Sequence, residues 1–203
     1  MEQYYEQNVV NHNIDERTKK TKTLNIAKMV LIIIAVFILS ASMLFVSDDS
    51  FGMMLGILAL VDIPFICAAI IVSRINKRNN TEYDYTIDDE YLKITEIYYR
   101  ERRKLKHSIR LRTIESVGMF DSDGYRKSES NANKKYLAIV NYDDEKSIIY
   151  ILYNTDKGRR IIFVEPDRGF IIALRRIVSA VTVFDKSMSD FDKILEEKEA
   201  EQQ

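Results

Sequence analysis

The chain has 203 residues, with 30 Lys+Arg against 31 Asp+Glu, two histidines, one cysteine and no tryptophan. Balanced charge excludes a strongly basic nucleic-acid-binding chain, and a single cysteine excludes an intramolecular disulfide framework or a cysteine-rich zinc site. A mean hydropathy of −0.20 describes an ordinary soluble protein, but that average conceals an uneven distribution: from Met29 to Ser73 there is no Lys, Arg, Glu or His, and the only charges are Asp48, Asp49 and Asp62.

In chain order, residues 1–28 read as a cytoplasmic arm, a juxtamembrane helix or segment at headgroup level with Tyr4 and Tyr5 near the interface. MVLIIIAVFILSASMLFV (Met29–Val46) and FGMMLGILALVDIPFICAAIIVS (Phe51–Ser73) each approach the roughly twenty apolar residues that cross a bilayer as a helix. Only Ser47 to Ser50 separate them, which predicts a transmembrane hairpin over residues 29–73 with spans at 29–46 and 51–73. A cleaved signal peptide fits poorly, because a long charged segment precedes the first run and a second run follows at once. Arg17, Lys19, Lys20, Lys22 and Lys28 precede the hairpin, Arg74, Lys77 and Arg78 follow it, and the turn carries two aspartates. By the positive-inside rule both termini are cytoplasmic, in a multi-pass protein of the inner (cytoplasmic) membrane.

Three features of the hairpin point to helix contact. Gly52 and Gly56 form a G-x-x-x-G, which lets helix backbones approach closely, within the hairpin or between copies in a homo-oligomer. Asp62 lies mid-span, where an ionised carboxylate costs about 2.5–3.5 kcal/mol on insertion scales. Pro64 cannot donate to the carbonyl of Leu60, so the helix is locally opened beside Asp62. A proton or ion pathway needs several such groups in series, and no second ionisable residue lies at that depth.

After a juxtamembrane linker at residues 74–81 the pattern becomes alternating. YDYTI (Tyr83–Ile87), EYLKITEIYY (Glu90–Tyr99), KLKHSIRLR (Lys104–Arg112), TIESVGMF (Thr113–Phe120), YLAIVNY (Tyr136–Tyr142), SIIYILYN (Ser147–Asn154) and RRIIFVE (Arg159–Glu165) read as seven antiparallel strands of a barrel or sandwich. The polar stretch from Asp121 to Lys135 reads as a mobile loop, and its D-S-D-G lacks the further acidic ligands of a calcium loop. From Asp167, a candidate N-cap, the residues Phe170, Leu174, Ile177, Val178 and Val181 recur at helical spacing and predict one amphipathic helix closing the barrel. Residues 186–203 predict a short helix, with Ser189 and Asp192 in capping-box spacing, then an acidic tail that frays into solvent.

Seven antiparallel strands and one C-terminal helix are the order of a pleckstrin-homology-like (PH-like) domain, here over residues 82–185. The stretches YTIDDEYLKI and RERRKLKHSIRLRTIESV, with Ile109, Leu111, Ile114, Ser116 and Val117 on the strand-pair pattern, and the closing FVEPDRGFIIAL, resemble the bacterial PH-like domains of small membrane proteins. Two spans followed by this domain are similar to a two-span family of low-GC Gram-positive bacteria. The resemblance implies a membrane α-helical hairpin carrying a cytoplasmic PH-like domain, without a catalytic residue set or cofactor, that serves as a binding or scaffolding module.

The candidate binding residues are Lys104, Lys106, Arg110 and Arg112, expected on one strand face opposite Leu105, Ile109 and Leu111, with Arg100, Arg102 and Arg103 in the preceding turn. Such a patch attracts anionic lipid or an acidic protein partner, although Glu96, Glu101 and Glu115 balance it as a solvated face would. No metal ligands, P-loop or nucleophile motif accompany His12 and His107, and Cys67 reads as an apolar filler. The expected function is therefore a non-enzymatic integral membrane protein that binds a partner protein or anionic lipid at the inner face, and not nucleic acid. The alternative is an accessory subunit of a transport or secretion complex acting through the hairpin, Asp62 and G-x-x-x-G included.

Overall fold

A computed structural model describes residues 4–11, 14–43, 51–98, 101–142, 144–178 and 180–201, without the side chains of residues 14, 15, 41–43, 51–59, 78, 199 and 201. The chain splits into two units, Met1–His12 with Thr81–Gln203 and Asn13–Asn80. The expected N-terminal arm is thereby divided: Tyr5–Val9 forms strand β1, which pairs antiparallel with β2 (Thr81–Ile87) from Tyr5 opposite Ile87 to Val9 opposite Tyr83. The two helices α1 (Ile14–Met43) and α2 (Phe51–Asn79) are an insertion between these paired strands.

The helices run antiparallel: Asn76 Nδ2 donates to Asn25 Oδ1 at 2.7 Å, and Asn80 Nδ2 to Thr21 Oγ1 at 3.0 Å. Among the described residues one helix, over Glu16–Ser40, is long and apolar enough to cross a membrane, against the two spans expected. None of its apolar window is buried in the structure, unlike the core helix of a soluble protein. From Leu60 onward α2 holds Asp62, Arg74 and Lys77 within eighteen residues, too charged a stretch to qualify by itself. Pro64 lies inside α2.

In the other unit β1, β2, β3 (Tyr91–Tyr98) and β4 (Arg102–Arg110) form a four-stranded sheet in that order. The second sheet has five strands in the order β6-β8-β7-β5-β9, from β5 (Ile114–Met119), β6 (Lys134–Ala138), β7 (Ile149–Thr155), β8 (Gly158–Val164) and β9 (Val183–Phe184). The expected seven antiparallel strands are thus nine described ones, and β6–β8 and β5–β9 pair in parallel. At the start of β8, directly after the turn from β7, Gly158 has φ +95°, a left-handed conformation that a residue without Cβ adopts freely.

Alternation puts Tyr85, Ile87, Leu92, Ile94 and Ile109 of the first sheet against Val117, Ile149, Ile151, Ile162 and Val164 of the second. Helix α4 (Arg168–Ile177) closes this core with Phe170, Ile171 and Leu174, and Asp167 caps it by accepting from Phe170 N at 2.7 Å. It ends four residues earlier than the apolar spacing predicted, and Val181 is exposed. The C-terminal helix α5 (Met188–Glu201) continues through the expected fraying tail and buries Met188, Phe191 and Leu195. Its Glu196 and Asp192 hold Arg168 at 3.1 Å and Arg175 at 2.9 Å. Ser189 lies inside α5 and donates to the carbonyl of Lys186, so it does not act as the N-cap.

The stretch expected to be a mobile loop contains α3 (Asp123–Ser130), capped by Ser122 Oγ, which accepts from Tyr125 N at 3.1 Å. Tyr125 packs on Phe163 and Tyr150 and builds a second cluster with Ile148, Leu152 and Ile161 on the outer face of the second sheet. This explains why SIIYILY is apolar without alternation: α3 covers one face of β7 while the main core covers the other.

Candidate binding face on the edge strand β4

The strand β4 is an edge of the first sheet, so its outer backbone groups and most of its side chains are unpaired by any described strand. Its sequence alternates, but its register does not. Ile94 pairs with His107 and the next residue, Thr95, with Leu105, leaving Lys106 as the extra residue of a β-bulge. A one-residue bulge reverses the parity of everything beyond it. Leu105, expected in the core, is consequently on the outer face with Arg103 and is 55% exposed. Lys104 falls on the opposite face, across from Glu96. Arg112 is not on the strand at all but in a 3-10 turn over Leu111–Thr113, so the single basic face expected for Lys104, Lys106, Arg110 and Arg112 does not form.

The basic residues separate into three that are engaged locally and three that are not. Arg103 reaches Asp84 at 3.3 Å, Lys106 reaches Glu96 at 2.5 Å, and Arg110 Nε donates to the Tyr91 hydroxyl at 3.2 Å. Arg102, Lys104 and Arg112 are exposed and have no partner among the described residues. Arg100 lies outside the described residues.

The two ends of β4 offer different chemistry. Arg102 and Arg110 are eight residues apart, about 27 Å along an extended strand, so they cannot hold one headgroup together. Arg110 and Arg112 line a cavity of about 270 Å³ with Asp89, Glu90, Leu111 and Ile177. Two carboxylates in that lining oppose a phosphate. At the other end Arg102, Arg103 and Lys104 are successive; Asp84, which Arg103 reaches, and Glu96, across from Lys104, are largely buried, and exposed Glu101 directly precedes the three. Register places this tip at the end of the sheet where Tyr98 pairs with both Thr81 and Arg102, and Thr81 directly follows α2 and its turn.

His107 is across from the core residue Ile94 and turns from β4 toward β6. The half-buried imidazole packs against Tyr136 of β6 with ring centroids 4.6 Å apart and ring planes inclined at 54°, and Arg160 lies over the same tyrosine ring at 5.8 Å. Burial, then the charges of Lys106 and Arg160, hold its pKa below the usual histidine range, partly opposed by Glu96. The unfolded chain therefore binds this proton more readily, and the stability tied to neutral His107 is complete above about pH 6.5 and lost as pH falls toward the lowered folded value. A lower urea midpoint at pH 5.5 than at pH 7.5 is expected, with His107→Gln narrowing the difference.

Of the other candidates, Asp62 is buried on α2, and Gly52 and Gly56 belong to the first turns of α2, where packing lies outside the described residues. His12 lies outside them too. Cys67 is exposed on α2.

A comparison with protein families decides the fold assignment: the model described as "Bacterial PH-like domain (DUF6106)" matches residues 1–184. The chain belongs to this family. No curated protein and no solved structure is significantly similar to it. The matched region of this PH-like protein takes in β1 and the α1–α2 insertion as well as both sheets and α4, while α5 follows it. PH-like domains in general bind proteins or lipids.

Proposed function

We propose that this PH-like protein is a non-enzymatic integral protein of the inner (cytoplasmic) membrane, held by the α1–α2 hairpin, whose domain binds anionic lipid through the β4 tip. The observation that carries the membrane part is the pairing of β1 with β2. Two paired strands lie on one side of a membrane, so the chain between them crosses an even number of times. An apolar α1 that crosses therefore requires α2 to return, although α2 carries Asp62. Cleavage after α1 as a signal sequence would also remove β1, whose Val9 is in the core and whose Gln7 bonds the Glu165 carbonyl and the Asp167 amide, both at 3.0 Å. The flanking lysines and arginines favour cytoplasmic ends.

The lipid reading rests on Arg102, Arg103 and Lys104 at the end of the sheet that leads into the helices. Each basic residue near an anionic surface contributes about 1 kcal/mol. Leu105, exposed on the face it shares with Arg103, supplies an apolar contact. The test uses the full chain in lipid nanodiscs, with Cys67→Ser and an environment-sensitive dye on Leu105→Cys. Dye emission is expected to shift to the blue in discs containing anionic lipid but not in neutral ones. Arg102→Ala with Lys104→Ala should weaken the response by about 2 kcal/mol. Identical spectra in both discs would remove the lipid reading and leave an acidic protein as the partner of this tip.

A further inference from the structure

We infer that the α1–α2 hairpin holds a docking groove for a membrane helix of another protein, one that presents a basic side chain to Asp62. The inference rests on the membrane-spanning reading of the hairpin and not on the lipid reading of the β4 tip. Asp62 is only 8% exposed, and its Oδ1 is buried without a hydrogen-bond partner among the described residues. It opens onto a groove of about 510 Å³ between the helices, whose walls are otherwise almost wholly apolar, Val36 and Leu39 on α1 and Phe65 and Ile66 on α2 among them.

The one basic residue of the groove cannot serve Asp62. The Asn25–Asn76 and Thr21–Asn80 contacts set an antiparallel register in which Lys28 is level with Ser73 and Asp62 with Leu39. Lys28 and Leu39 are eleven residues apart, about 16 Å along a helix. An intramembrane carboxylate left without a partner is costly, and such residues pair with cations or hydrogen-bond donors inside a bundle. Pro64 adds to the demand, because its missing N–H leaves the Leu60 carbonyl without a helical donor one turn away. A lysine or arginine, with three or five donors, can meet both oxygens.

A second copy of this chain does not provide that group. From Met29 to Ser73 there is no Lys, Arg or His, so a homodimer would bring another Asp62 to the same depth. Charge complementarity therefore selects a heterologous helix. The groove is lined over Lys28–Leu39 on one helix and Asp62–Ser73 on the other, each about three turns long, which suits a helix lying alongside.

The full chain, labelled and reconstituted in lipid vesicles, can be titrated with synthetic poly-leucine spanning helices and followed by energy transfer. A helix with one central lysine is expected to bind at least tenfold more tightly than the all-leucine helix, and Asp62→Leu should abolish that preference. Equal binding of both helices, or a lysine preference that survives Asp62→Leu, would overturn the inference. So would self-association of the wild-type chain that Asp62→Leu abolishes, since the occupant would then be a second copy. Extraction of the wild-type chain from vesicles by alkaline carbonate would overturn the membrane reading itself and the inference with it. A chain that resists extraction yet shows no lysine preference would overturn the docking inference alone.

Discussion

Phe170→Ala is expected to destabilise the PH-like domain by about 3–5 kcal/mol, the range for deleting a buried aromatic ring. Phe170 is fully buried where α4 meets both sheets, edge-on to Tyr85 at 5.8 Å and to Tyr5 at 6.4 Å. Its removal leaves a cavity beneath the helix that closes the core and withdraws the surface on which β1 rests. The preceding Gly169 allows that approach: a Cβ there would come within 2.6 Å of the Tyr5 ring. Against a domain stability of about 5–15 kcal/mol, the loss is a large fraction of the whole. Urea unfolding of the full chain in mild detergent, followed by the fluorescence of its twelve tyrosines, should show a lower midpoint with an unchanged slope. A loss below about 1 kcal/mol would mean that the site collapses around the smaller side chain and that α4 is not the closing element.

Glu165→Ala is expected to cost about 3 kcal/mol, because a buried carboxylate that accepts several hydrogen bonds leaves each donor stranded when it is removed. Glu165 Oε1 accepts from Asn141 N at 2.7 Å and from Val140 N, and Oε2 accepts from Asn141 Nδ2 at 2.8 Å. Asn141 Nδ2 also donates to the Val10 carbonyl at 3.2 Å, so one side chain ties the end of β8 to the segment after β6 and, through it, to the segment after β1. Glu165→Gln keeps an acceptor and should cost about 1 kcal/mol, the worth of an ordinary hydrogen bond. Amide exchange at Val9, Val140 and Asn141 should accelerate in the alanine variant ahead of the core strands. Uniform acceleration across both sheets would show that the link is not local.

Alternation along Thr81–Ile87, Tyr91–Tyr98 and Arg102–Arg110 revealed these strands within about two residues, and Pro166–Asp167 marked the start of α4. By contrast β1 is five residues, YEQNV, three of them polar, and its partner strand begins more than seventy residues later. Helix α3 was hidden because a single large side chain, Tyr125, attaches it to the sheet. The candidate site was half legible: the basic composition of β4 was plain, but the bulge at Lys106 leaves no compositional mark and decides which side chains share a face.

The amino-acid sequence by itself marked the apolar runs within α1 and α2, the positions of most strands and the start of α4, because periodicity and uninterrupted apolar runs are properties of consecutive residues. The tertiary structure alone decided that β1 joins the first sheet across the helical insertion, that β6 pairs in parallel with β8 and β9 with β5, that Lys106 is a bulge and that Asp62 Oδ1 is buried without a hydrogen-bond partner among the described residues. Those outcomes depend on which distant backbone and side-chain groups satisfy one another, and non-local pairing leaves no repeating trace in the local order of residues.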